Sequence, residues 1–185
     1  MSIATPRSAA RSTTAPGLPI YPYDLGLLLL RIFLGLTLAS HGVQKLFGWF
    51  GGYGVRGTGH YLSTLGYPVA DWFAVVTGVC ETFGGLFLAL GLLTPLAAAA
   101  ALGTMVNAIG VGWKGMSVAG FFAQSNGIEY PLVLAAASAA LALTGPGIYS
   151  VDHHLPGLRH YRFAYGVGAI VLGVVVGVVI LMIRG

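Results

Sequence analysis

Charge is scarce in this chain. Only 8% of its 185 residues are Asp, Glu, Lys or Arg, where a soluble domain carries about 25%. The composition is 56% hydrophobic with a mean hydropathy of +0.84, which points to an integral membrane protein and away from a water-soluble fold. Cysteine is almost missing as well. With Cys80 alone, there is no internal disulfide framework, no CxxC thiol relay and no cluster held by this chain's own thiolates. Its place inside an apolar helix suits a small core residue better than a reactive thiol. The net charge of +4 is spread over the N-terminal stretch, loops and helix ends. Aromatic-interleaved basic clusters are lacking, so nothing supports nucleic-acid binding. No short apolar run adjoins Arg7 and Arg11. Residues 1–22, rich in Ser, Ala, Thr and Pro, read as a disordered tail, not a targeting peptide.

What the chain has is long apolar stretches. Five are legible: about 24–47, 68–93, 95–112, 129–144 and 163–183. A helix crosses a bilayer with about 20 residues at 1.5 Å rise each, so the fourth is short for a span. The expected fold is all-α, a polytopic transmembrane helical bundle. Residues 23–152 form its four-helix membrane domain, and 153–185 add a polar loop and a fifth transmembrane helix. Trp49, Phe50, Tyr53, Tyr61 and Tyr67 suit an interfacial aromatic belt. Gly52, Gly54 and Gly57 spell GxGxxG, but the dinucleotide reading needs a preceding strand and a βαβ unit. An interfacial connection with an amphipathic turn near 60–65 fits better. An odd number of spans puts the chain ends on opposite sides, and the positive-inside rule favours a cytoplasmic N-terminus.

The first stretch carries Arg31, His41 and Lys45 within an arc of roughly 80° at 100° per residue. A charge at mid-depth costs at least ~2.5–3.5 kcal/mol on insertion scales, so such residues face protein or water. Glu81 is the one acidic residue deep in another apolar segment. An Arg31–Glu81 pair, on a second span whose Ala74, Gly78, Gly85 and Ala89 form a small-residue face, is therefore the central expectation. A purely structural ion pair would satisfy the same pattern, and removing one partner would cost about 3–5 kcal/mol. The functional reading is a polar pocket, favoured because Arg31 and Lys45 outnumber the single deep carboxylate. His41 would exchange protons near neutral pH, whereas Lys45 by itself would snorkel outward. Thr104 and Asn107 are expected as interhelical hydrogen-bonders. Glu129 and Tyr130 would cap and anchor the fourth helix, with Lys114 as a further partner for Glu129. Asp152, His153, His154 and His160 fit no standard zinc spacing, so a solvated loop with no metal is expected there.

An arginine in the first helix followed by SHGVQKLFG, then CETFGGLFLALGLLT, NGIEYPLVL and LTGPGIYSVD, resembles the DoxX family of bacterial membrane proteins over residues 25–152. The family pattern falls on Arg31, His41, Gly42, Gln44, Lys45, Glu81, Gly84, Gly85, Glu129 and Tyr130. The resemblance implies a four-helix membrane bundle tied to redox chemistry. Such relatives include the membrane subunit of a thiosulfate:quinone oxidoreductase and proteins that assemble with soluble thiol- and superoxide-handling enzymes.

These readings converge on a quinone-facing or anchoring subunit of a redox complex in the bacterial cytoplasmic membrane. His41 and Glu81 are its candidate catalytic residues, and Arg31, His41, Lys45 and Glu81 its candidate quinone contacts. The quinone would be held non-covalently. Partners would be the lipid bilayer, a soluble or peripheral redox protein supplying electrons and, as an option, a second copy of the chain. Whether the chain is itself an enzyme is open at this stage. A non-catalytic scaffold for soluble oxidoreductases and a carrier of small anions or metabolites are the alternatives.

Overall fold

The computed structural model describes residues 21–113 and 118–184. Residues 1–20 of the proposed N-terminal tail and Lys114 lie outside the described residues, and Pro22, the last residue given to the tail, already opens the first helix. Eight α-helices follow one another among the described residues: α1 (Pro22–Phe47), α2 (Gly54–Thr64), α3 (Ala70–Leu90), α4 (Thr94–Gly112), α5 (Val118–Phe121), α6 (Glu129–Thr144), α7 (Val151–His154) and α8 (Phe163–Ile183). Among the described residues there is no strand, and Gly52 leads into α2 while Gly54 opens it, so neither sits in a βα turn. Helices α1, α3, α4 and α8 are long and apolar enough to cross a membrane. The fourth expected span, α6, has only 16 residues, roughly 24 Å of helix.

Packing follows a ring. α1 packs on α3, α3 on α4, α4 on α6, and α6 closes back on α1. α1 and α4 are thus diagonal in a four-helix bundle of alternating direction. α8 lies outside the ring in the groove between α4 and α6, its Gly166, Gly173 and Gly177 turned inward. Phe33, Leu36, Phe83, Val171 and Val175 stay exposed, as an apolar surface meant for lipid must be.

The α1–α3 seam explains the glycines. A Cβ on Gly35 would lie 2.4 Å from the Gly85 carbonyl oxygen, and one on Gly85 would lie 2.4 Å from the Gly35 oxygen. A Cβ on Gly42 would meet Thr82 at 2.3 Å. Backbones approach this closely only where side chains are missing. The expected small-residue face of α3 is real, and α1 supplies its counterpart. Gly84, next in sequence, faces α4 with its nearest neighbour at an ordinary 3.5 Å.

One end of the bundle is closed by residues 145–152. The Asp24 carboxylate accepts from the Ile148 N–H at 2.9 Å, and Arg31 Nη2 donates to the Tyr149 carbonyl at 2.6 Å. Asp152, only 2% exposed, accepts from the N–H groups of Leu93 (2.8 Å) and Thr94 (2.9 Å) and from the Thr94 hydroxyl (2.8 Å). α4 begins behind Leu93, at φ +46°, with no side-chain cap of its own. Asp152 caps it from 58 residues away, placing a carboxylate where a helix N-terminus favours one. The expected solvated loop is therefore corrected at Asp152, which is buried and fully engaged. Tyr161 fastens the next segment by donating to the Ala142 carbonyl. Burial first, and then the Asp152 charge, holds its phenol above the usual tyrosine range, so it stays a donor.

Two outcomes follow for thermal unfolding in detergent. Gly85→Ala should lose about 1–3 kcal/mol through overpacking, while Gly84→Ala should be neutral or stabilise by up to about 1 kcal/mol. Equal effects would contradict the seam. Asp152→Ala should cost about 2–3 kcal/mol by stripping the cap and its charged hydrogen bonds, and an unchanged melting temperature would refute that capping role.

Candidate functional site

The polar residues of α1 separate along its length. Arg31 is fully enclosed at the end closed by residues 145–152. Its guanidinium lies against Gly91, where a Cβ would come within 1.7 Å of Nη1. The Asp152 charge acts on it from beyond ion-pair contact, and its Nε and Nη1 have no hydrogen-bond partner among the described residues. Lys45 and His41 sit toward the other end. Gly35 abuts Gly85 and Ala89, and Gly42 abuts Gly78 and Thr82, so Arg31 is level with the end of α3, roughly 15 Å from Glu81 along the bundle at 1.5 Å per residue. The expected Arg31–Glu81 pair is not formed. The helical arc placed both cations on one face but carries no information about which turn of α3 each one meets.

Glu81 pairs with Lys45 instead. The carboxylate is 2% exposed and sits at mid-length of α3, where the cost of an uncompensated charge is greatest. Lys45, in the last turn of α1, reaches inward to it and does not snorkel outward. The predicted excess of cations also disappears. Arg31 lies at the far end, near the Asp152 charge, and at this end Lys45 has Glu81.

Lys45 and Glu81 line a chamber of about 450 Å³ together with Thr77, Asn107, Tyr61 and Tyr130. It is walled by α1, α3, α4 and α6 and roofed by α2. A second cavity of about 940 Å³ adjoins it, lined by His41, Gln44, Tyr53 and His60 and sharing Lys45, Thr58, Tyr61 and Asn126 with the first. His41 Nε2 lies 3.0 Å from the Tyr130 hydroxyl, the two rings meeting edge-on at 5.6 Å. Tyr130 thus links the outer cavity to the inner one and does more than anchor α6. Gln44 donates to the Phe50 carbonyl at 3.2 Å and holds the turn that leads to α2. Glu129 accepts from the Ala123 N–H at 3.0 Å, fastening the turn before α6.

Of the four expected ligand contacts, His41, Lys45 and Glu81 come together around these cavities, whereas Arg31 lines neither. Two further residues had been read differently. Tyr67, expected in the interfacial belt, is 5% exposed and donates to Asn107 Oδ1 at 3.0 Å. Thr104 bonds its own helix at the Ala101 carbonyl, so only Asn107 bridges elements as expected. The contribution of α2 had no sequence signal beyond its weak amphipathic pattern.

The DoxX family model matches residues 26–113, covering α1 to α4. The chain is 33% identical to the uncharacterized membrane protein Rv3486 of Mycobacterium tuberculosis, over 68% of this chain and 78% of that one. It is 27% identical to a Bacillus subtilis protein named "Putative oxidoreductase CatD", over 70% of this chain and 87% of the relative. It is 30% identical to the inner membrane protein YphA of Escherichia coli, over 68% and 87% respectively. No solved structure matches the chain. Sequence similarity, the apolar helices and the glycine-lined four-helix ring agree: this chain is a membrane protein of the DoxX family.

Proposed function

We propose that this protein is the quinone-facing subunit of a membrane redox complex in the bacterial cytoplasmic membrane, and that the quinone ring occupies the chamber beside Lys45 and Glu81. The observation that carries this reading is an ion pair at mid-bundle that borders a cavity instead of being packed over. A pair serving only to fix helix register needs no open volume beside it. This one leaves Lys45 29% exposed, with donor capacity free for a ligand. A volume of about 450 Å³ is within the range of small-molecule sites, about 300–1,000 Å³.

The donor set fits such a ring. Lys45 offers N–H groups and positive charge to a ring oxygen, and Glu81 holds the ammonium in place while keeping the site neutral overall. Tyr130 holds a proton at its hydroxyl at the chamber wall, and His41 behind it exchanges protons with the outer cavity. A bound quinone supplies two-electron, two-proton carrier chemistry. Electrons arrive from a soluble or peripheral redox protein, and the oxidoreductase name of the Bacillus relative supports this class of chemistry. The balanced charges disfavour the anion-carrier alternative, since an anion here would leave an uncompensated charge in the apolar bundle.

Purification in mild detergent, followed by solvent extraction, tests the reading. Wild-type protein should carry quinone near one per chain, and Glu81→Gln should retain at most about a tenth of it, as expected for loss of a charge-assisted contact, with the fold intact by circular dichroism. Quinone absent from the wild type, or retained equally by the variant, would sink the proposal. A soluble enzyme co-eluting without quinone would support the scaffold alternative.

A further inference from the structure

The chamber has a second polar pole. Asn107, on α4, lines it on the helix diagonal to the one that carries Lys45. Its Oδ1 is taken by the Tyr67 hydroxyl at 3.0 Å, which fixes Nδ2 as the other end of the amide. That nitrogen is shielded from water and has no acceptor among the described residues. Buried donors are nearly always satisfied, and one left alone carries a penalty that a ligand acceptor relieves. Tyr67 holds the amide oxygen, so the nitrogen is the amide's remaining polar group at the chamber.

We infer that Asn107, oriented by Tyr67, is the second recognition point of the chamber, and that the site selects a neutral ring bearing two hydrogen-bond acceptors on opposite edges. This rests on the quinone reading and deepens it. The neutrality follows from the Lys45–Glu81 pair, whose charges already cancel. The requirement for two acceptors follows from donors on diagonal helices: the Lys45 ammonium on α1 takes one oxygen and the Asn107 amide on α4 the other. An amide N–H can only donate, so the α4 end demands an acceptor and discriminates against a ring that has none there. Tyr67 is a positioning residue, acting through the amide.

The test uses the full chain in detergent, with empty micelles as blank, and equilibrium dialysis of two probes. Duroquinone carries an oxygen at both edges of the ring, and 2,3,5,6-tetramethylphenol carries one. Asn107→Leu keeps the branching at Cγ and removes the amide, and should weaken duroquinone binding about tenfold while moving the phenol by less than about twofold. Tyr67→Phe should weaken duroquinone about threefold, again sparing the phenol. It serves as the second variant should Asn107→Leu not fold. Duroquinone binding equally to wild type and both variants would overturn the assignment of Asn107 and leave the quinone site standing. Equal losses for both probes would also overturn it, since that marks a change of shape. No duroquinone binding to the wild type would overturn the quinone reading, and this inference with it.

Discussion

A carboxylate at mid-length of an apolar helix has to find a cation, and the organisation of this bundle turns on the fact that Glu81 finds Lys45. The pair is possible only because α1 and α3 touch backbone to backbone through Gly35, Gly42, Gly78 and Gly85. That contact sets the register of the two helices, and the register decides which turn of α3 each polar group of α1 meets. Close packing and charge compensation are thus one constraint here. A side chain anywhere on the seam would push the helices apart and strand both charges in a medium that does not solvate them.

The two ends of the bundle solve different problems with similar chemistry. At the end closed by residues 145–152, Arg31, Asp24 and Asp152 satisfy backbone groups of a chain reversal and of the exposed start of α4. Polar side chains there replace the water that unpaired N–H and C=O groups would otherwise need. At the other end, Lys45, Glu81, His41 and Tyr130 surround open space. In the first arrangement Arg31 is enclosed by protein, with Nε and Nη1 lacking hydrogen-bond partners among the described residues. The second borders cavities, and that difference distinguishes an architectural group from a candidate site.

Much of this was legible in the sequence. Helices show themselves by length and apolarity, the small-residue face of α3 by its spacing, and Glu81 by its isolation. The membership of His41, Lys45 and Glu81 in one site followed from the cost of intramembrane charge. Pairing was not legible, because a helical arc fixes the direction of a side chain and not the axial offset of the neighbouring helix. Arg31 was therefore matched to the wrong carboxylate. Asp152 was misread for a related reason. In a loop with three histidines it looked solvated, and nothing local reveals that its partners lie 58 residues earlier. Tyr67 likewise resembled a belt aromatic until Asn107 was brought to it from α4.

The central claim, that Lys45 and Glu81 neutralise each other within the bundle, is tested most directly by a double-mutant cycle on thermal unfolding. Lys45→Met and Glu81→Met should each destabilise by about 3–5 kcal/mol, and the double variant should recover most of that loss, because two apolar side chains replace a buried pair at little cost. Additive losses for this pair, or recovery of Glu81→Met by Arg31→Met instead, would contradict the account.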